Sequence, residues 1–216
     1  MFKNAVILAG GKGIRMLPLT KYIPKGLVEI NDKTLISGVI DLLNQYDVED
    51  VYVTYNYLSE ILFNEIKLDV KGFINTTNQD NSYFLFNSFV KYVNEPFIVI
   101  SCDLKIELDL NKVYEDYIKL DEPALMIIGT EPNDDIVGDH IISDESNNIL
   151  SLDRDIPSPI YCTGVQIINP YKVNEICDES NNFYGVWEQL IKNYSMKLSN
   201  INPQKWYSFD NIKQVI

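Results

Sequence analysis

The 216-residue sequence has one histidine, three cysteines and no apolar run long enough to cross a bilayer. Each scarcity removes a class of function. A membrane helix needs about 18 or more consecutive apolar residues. The run at residues 5–9 is far shorter and lacks the cleavage pattern of a signal peptide, so a cytoplasmic chain is expected, with no membrane partner. Cys102, Cys162 and Cys177 are odd in number and show no CxxC spacing, which points to neither a disulfide framework nor a zinc site. They read as small buried hydrophobes. His140 stands alone in a polar stretch, reads as solvated, and leaves no histidine-based mechanism. Positive charge is also scarce: 18 basic against 31 acidic residues give a net charge of −13. A nucleic-acid binder needs a basic face to displace counterions, so that partner is excluded.

The basic groups that remain are unevenly placed. Residues 1–33 hold Lys3, Lys12, Arg15, Lys21, Lys25 and Lys33 against Glu29 and Asp32, a net of +4, while the rest of the chain carries −17. A small anion is drawn to the first segment. With 46% hydrophobic residues the chain can bury a full core, and one domain over residues 1–216 is expected. Short apolar runs alternate with helical patterns, the signature of a mostly parallel sheet flanked by helices, Rossmann-like and α/β in class. Strands are expected near residues 4–9, 51–55, 72–75, 97–102, 124–129 and 161–168. Leu35, Ile36, Val39, Ile40, Leu42 and Leu43 form an apolar helical stripe behind a Thr34 N-cap. Leu58, Ile61, Leu62 and Ile66 repeat the pattern, residues 82–92 carry it again, and all three stripes read as core. The acidic, turn-rich residues 131–148 read as a small surface excursion.

In such a sheet ligands bind at the carboxyl ends of the strands, and the loop after the first strand is the usual phosphate site. Gly10, Gly11 and Gly13 allow positive φ or a close approach of backbone to ligand, so that amide N–H groups can point at phosphate oxygens. The spacing is neither the dinucleotide GxGxxG, since Met16 fills the third glycine position, nor GxxxxGK[ST].

The stretch Leu8-Ala9-Gly10-Gly11-Lys12-Gly13-Ile14-Arg15-Met16, followed by Pro18-Leu19-Thr20, Pro24-Lys25 and Val28, closely resembles the signature of the nucleotidyltransferases that join a nucleotide to a phosphorylated sugar or alcohol. The resemblance implies a loop that wraps a triphosphate, with Arg15 on its outer phosphates and Lys25 on a phosphate at the reacting centre. It implies a magnesium ion, with Asp103, at the end of the run beginning at Phe97, as first ligand and Asp210 as second. Asp109 and Asp153 read as surface charges. No side-chain nucleophile is required, because transfer at an α-phosphorus rests on in-line positioning and charge neutralisation.

The branch of the family is left between alternatives. Residues 75–85 contain no glycine. With Asn75, Asn81 and Tyr83 they look more like the cytidylyltransferases acting on phosphocholine and related phosphates. Tyr184, Trp187 and Glu188 offer the aromatic faces and acid that a cationic head group requires, although Tyr184 and Trp187 fit a helix core equally well. Against this, Gly164 and its neighbours, and the following Asn-Pro, resemble the sugar branch, for which Asn81, Gln166 and Arg154 would supply hydrogen bonds. The expectation is therefore a magnesium-dependent, pyrophosphate-releasing enzyme, CTP favoured, whose partners are a nucleoside triphosphate and a small phosphorylated metabolite, acting as monomer or homodimer. The alternatives are a sugar-1-phosphate enzyme using UTP, GTP or dTTP, and a non-catalytic nucleotide-sensing subunit.

Overall fold

The structure is a computed structural model that describes residues 1–133 and 136–215. The elements run β1 (Asn4–Leu8), β2 (Glu29–Ile30), β3 (Lys33–Thr34), α1 (Leu35–Gln45), β4 (Asp50–Tyr55), α2 (Ser59–Ile66), β5 (Gly72–Asn75), α3 (Tyr83–Asn87), β6 (Phe97–Ser101) and β7 (Leu104–Glu107). They continue with α4 (Leu110–Lys119), β8 (Leu125–Thr130), β9 (His140–Ser143), β10 (Ile149–Asp153), β11 (Tyr161–Ile168), α5 (Pro170–Ile176), α6 (Phe183–Lys192), β12 (Met196–Leu198) and β13 (Lys205–Ser208). All six expected strands are present within a residue or two of their expected limits. The sheet they join is mixed rather than simply parallel: β6, β1, β4 and β5 run parallel, and β11 lies antiparallel to β6. β8 and β12 extend it beyond β11.

Strand alternation explains why both faces are covered. Ala5 and Ile7 of β1, with Ile98 and Ile100 of β6, pack with α1, α2 and α4 in one core. Val6, Phe97 and Val99 turn the other way, into a second core with α3, α5 and α6. A third, small cluster of Met16, Val28, Leu35 and Phe209 sits under the opening loop. α1 begins as its sequence dictates, with Thr34 Oγ1 accepting the Ser37 N–H at 3.3 Å.

Several expectations need correction. In the second helical stripe Leu62 and Ile66 are buried, whereas Ile61 is exposed and Leu58 precedes the helix. The stripe at residues 82–92 is two pieces, because Ser88 adopts an extended conformation, donates to the Phe84 carbonyl at 2.7 Å and caps the turn that follows. His140 is half-buried, not solvated: its Nδ1 accepts the Ser158 N–H at 2.9 Å and its ring meets Tyr161 edge-on. Asp109 is the N-cap of α4, accepting from the amides of Asn111 and Lys112. Asp153 accepts the amides of Asp155 and Ile156 in a turn. Cys102 and Cys177 are buried and Cys162 is half-buried. The excursion contains β9, which pairs antiparallel with β10; Asp134 and Asp135 within it lie outside the described residues.

Candidate active site

The site begins where β1 ends. Leu8 pairs with Thr54 of β4 and Ser101 of β6, and Thr54 Oγ1 accepts the Ala9 N–H at 3.1 Å, which carries the strand cleanly into its loop. Gly10 is required by closeness: a Cβ there would stand 2.9 Å from Thr76 Oγ1. Gly13 is required by conformation, with φ +60° and a Cβ position 2.9 Å from the Thr20 methyl. Gly11 meets neither condition, since the space above it is open. The N–H groups of Gly11, Lys12 and Gly13 have no partner among the described residues. Unsatisfied amides in a glycine-rich turn form a ready anion cradle. Met16, fully buried, then anchors the short helical turn that carries Arg15; burial of such a side chain contributes about 1.5–3 kcal/mol.

Four charged side chains converge below this loop. Lys25 Nζ donates to Asp103 Oδ2 and, at 2.9 Å, to Asp210 Oδ1, and Arg15 Nη2 donates to the same Asp210 oxygen at 3.0 Å. Asp103 is brought by the buried strand β6 and oriented by Ser101 Oγ, which donates to its Oδ1 at 2.5 Å. Asp210 arrives from over a hundred residues away because β13 pairs antiparallel with β7, setting Ser208 against Leu104, and because the Phe209 N–H donates to the Asp103 carbonyl at 3.0 Å. The Lys25 and Asp103 side chains are only 12% and 9% exposed. Burial opposes the charge on Lys25, but attraction and hydrogen bonds from Asp103 and then Asp210 prevail, so its pKa lies above the ordinary lysine value. Burial likewise opposes the Asp210 carboxylate, and Lys25 and Arg15 outweigh it, leaving its pKa below the usual range. Burial pushes the adjacent Cys102 thiol up to about 12, which removes it as a nucleophile.

These groups border a hollow of about 300 Å³ that adjoins a larger cleft of about 760 Å³ along the carboxyl ends of β1, β4, β5 and β6. The cleft is lined by the glycine loop, Asn56, Thr76 and Asn81, and by Asp139, Arg154, Tyr184 and Trp187. A family model described as nucleotidyl transferase matches residues 4–138. The chain belongs to the nucleotidyl transferase family. It is 29% identical over 157 residues to the bifunctional protein GlmU of Methanococcus aeolicus, covering 72% of this chain and 37% of that one. It is 37% identical over 93 residues to a CTP:phosphoglutamine cytidylyltransferase of Campylobacter jejuni, 40% of this chain and 37% of that one. The chain thus spans little more than a third of the length of these relatives. In fold it matches the CTP:phosphocholine cytidylyltransferase of Streptococcus pneumoniae, with a TM-score of 0.77 and 21% identity over 99% of this chain and 96% of that one.

In this nucleotidyl transferase the expected residues divide. Leu8, Gly10, Gly11, Lys12, Gly13, Arg15, Lys25, Asp103 and Asp210 border the hollow or the cleft. Ala9 lies within the same loop, its N–H taken by Thr54. Asn81 lines the cleft and accepts the Phe183 N–H at 3.3 Å, tying the glycine-free segment to α6. Asn75 is exposed and accepts the Thr77 N–H; Thr76, its neighbour, is the one that lines the cleft. Tyr83 and Gly164 do not line it: Tyr83 begins α3, and Gly164 packs over Ser101 and Leu104. Glu188 is also outside, exposed and paired with Lys192 at 2.7 Å. It stands one turn along α6, about 6 Å further than Tyr184. Trp187 is 7% exposed with Nε1 donating to Gln166 at 2.9 Å, yet it still floors part of the cleft.

Asp139 is the acid that sequence reasoning missed, because it lies in the acidic excursion where carboxylates read as solvated. Tyr184 donates to it at 2.7 Å, and burial first, then Asp139, push the tyrosine hydroxyl up to about 12, so it remains a donor. Among the described residues no helix is long and apolar enough to cross a membrane.

Proposed function

We propose that the chain transfers a nucleoside monophosphate from a nucleoside triphosphate, CTP by preference, to the phosphate of a small acceptor such as phosphocholine or a related phosphate. The observation that carries the reading is the convergence of Arg15, Lys25, Asp103 and Asp210 below a loop with three free amides. An acceptor phosphate oxygen bonds to the α-phosphorus while the bond to the bridging β-phosphate oxygen breaks, and pyrophosphate leaves with that electron pair. The amides of Gly11 to Gly13 and the exposed Arg15 hold the outgoing phosphates, and Lys25 neutralises charge at the reacting centre. No base is needed, since an acceptor phosphate with its second pKa near about 6 is already ionised at neutral pH. CTP is favoured by the cytidylyltransferases among the relatives and by the glycine-free segment that Asn81 fastens to α6.

Asp103 and Asp210 fit a magnesium ion. They offer two hard carboxylates close enough to share one ammonium, and magnesium takes one or two carboxylates with water and substrate phosphate. Among the described residues no group of three or more acidic, histidine or cysteine side chains is placed to hold a metal ion, so water and substrate phosphate would have to complete the shell. When bound, the ion supplies charge neutralisation at the phosphates. A second reading, a sugar-1-phosphate enzyme using UTP, GTP or dTTP, is favoured by Asn81 and Arg154 lining the cleft.

Pyrophosphate release with each of CTP, UTP, GTP and dTTP, against phosphocholine, phosphoethanolamine, O-phospho-L-serine and glucose 1-phosphate, with magnesium or with EDTA, tests both. Turnover with CTP and an ammonium-bearing phosphate, lost in EDTA, is the expected result. Turnover only with glucose 1-phosphate and another triphosphate selects the second reading, and silence in every combination removes both.

A further inference from the structure

The chemistry of transfer leaves Asp80, Asp139 and Arg154, which also line the cleft, unused, and the last two are built into one cluster. Asp139 immediately precedes β9, Arg154 immediately follows β10, and Tyr184 lies in the first turn of α6. Their side chains close a triangle. Arg154 Nε and the Tyr184 hydroxyl both donate to Asp139 Oδ1, at 3.2 and 2.7 Å, and Arg154 Nη2 donates to the Tyr184 oxygen at 3.2 Å and to Asp139 Oδ2 at 3.4 Å. Asp139 is fixed from behind as well, its carbonyl accepting the Cys162 N–H at 2.9 Å. The triangle orients the guanidinium without consuming it: Arg154 is half exposed, lines the cleft, and its Nη1 has no partner among the described residues. Asp139 Oδ2 has only the long contact to Arg154 and keeps room for another donor.

Such a wall is matched only in part by the trimethylammonium and sugar head groups weighed so far. A trimethylammonium would share its space with the like charge of Arg154 and give its Nη1 nothing to donate to, and a neutral sugar would give Nη1 a hydroxyl but no charged acceptor. A head group that itself carries one charge of each sign matches both. We infer that the acceptor is a phosphorylated compound bearing an α-amino acid group, its carboxylate received by the free Nη1 edge of Arg154 and its ammonium by Asp139 Oδ2 beside the Tyr184 and Trp187 rings. Tyr184 and Trp187 meet edge to face with centroids 5.2 Å apart, giving that ammonium an aromatic border. The assignment rests on the proposed transferase reading of the same cleft.

O-phospho-L-serine and phosphoethanolamine differ only in the carboxylate, which makes them the decisive probes. Binding of each, and of phosphocholine, is measured by calorimetry on the intact protein with magnesium and the α,β-methylene analogue of CTP, beside the pyrophosphate assay. Phosphoserine is expected to bind about 10- to 100-fold tighter than phosphoethanolamine, the range of a hydrogen bond to a charged group. In Arg154→Gln the two affinities converge, and Arg154→Lys restores part of the difference. Equal binding of the two probes by the wild type, tighter binding of phosphocholine, or no binding of any of the three overturns the assignment. So does a loss in Arg154→Gln that is equal for both probes, the mark of a merely structural strap. Turnover without any dependence on Arg154 overturns it while leaving the transferase reading intact. Arg154-dependent phosphoserine binding without turnover supports the subsite and removes the activity.

Discussion

Lys25→Met keeps most of the length of the side chain and removes the one charge that Asp103 and Asp210 share. Breaking a fully buried ion pair by deleting one partner destabilises by about 3–5 kcal/mol. Here Asp210 is 23% exposed and keeps Arg15, which is itself 62% exposed, so water and the second cation screen part of the repulsion. The expected loss is about 2 kcal/mol. For a chain of this size that lowers Tm by about 4–8 °C at pH 7. The pH dependence has a definite sign. The lysine pKa is raised by folding, so its contribution is whole below the ordinary lysine value and is lost as pH rises through the folded one. The Asp210 pKa is lowered by folding, so its contribution is present above the ordinary carboxylate value and is lost as pH falls through the folded one. The gap between wild type and variant is therefore widest from about pH 5 to 10 and narrows in acid. Calorimetric scans from pH 3 to 9, with turnover measured in parallel, test this; turnover should fall about 100- to 1000-fold. A Tm within 1 °C of wild type at pH 7, or a gap that grows in acid, refutes the reasoning.

Arg15→Ala removes an exposed charge without touching the core, so kcat/KM should fall about 100-fold or more while Tm moves by under 2 °C, as kinetics and calorimetry on one preparation will show. Gly10→Ala must push Thr76 away and should raise the KM for the triphosphate and lower stability by about 1–3 kcal/mol; Gly11→Ala meets nothing within 4 Å and should leave stability within about 0.5 kcal/mol in denaturant titrations. Asp116 is buried and accepts three hydrogen bonds, from Ser199 Oγ, the Asn200 N–H and Asn200 Nδ2, so Asp116→Ala should destabilise by about 3 kcal/mol with the KM values unchanged in the remaining folded protein. The rate should fall in acid with a midpoint near about 6 that follows the acceptor phosphate; His140→Gln should keep that midpoint, and a shift would give the histidine a role it lacks here.

How much of this could be read from the sequence depends on whether the signal was local. β1, β6 and α1 were legible because their apolar patterns repeat within ten residues and Thr34 caps its own helix. The glycine loop was legible as a site but not residue by residue, since nothing local tells that Gly10 faces Thr76 while Gly11 faces open space. β7 and β13 were not legible: each is four residues long and largely unburied, and they find one another across about a hundred residues. Asp210 was placed by resemblance, whereas its position beside Lys25 is made by that small sheet and by Phe209, buried against Met16, Val28 and Leu35. The acid beside Tyr184 was misread for a similar reason. Glu188 follows Trp187 in sequence and looks like its companion, but of α6 it is Phe183, Tyr184 and Trp187 that reach the cleft, and Lys192 one turn further on takes the carboxylate. Asp139 stands in a stretch whose polarity hides it, and becomes a cleft residue only when β9 pairs with β10 and carries it to Tyr184. A carboxylate in a polar loop thus acquires its place from the tertiary pairing that surrounds it, which is why Arg15, Lys25, Arg154, Asp103 and Asp210 could be named from the chain while Asp139 could not.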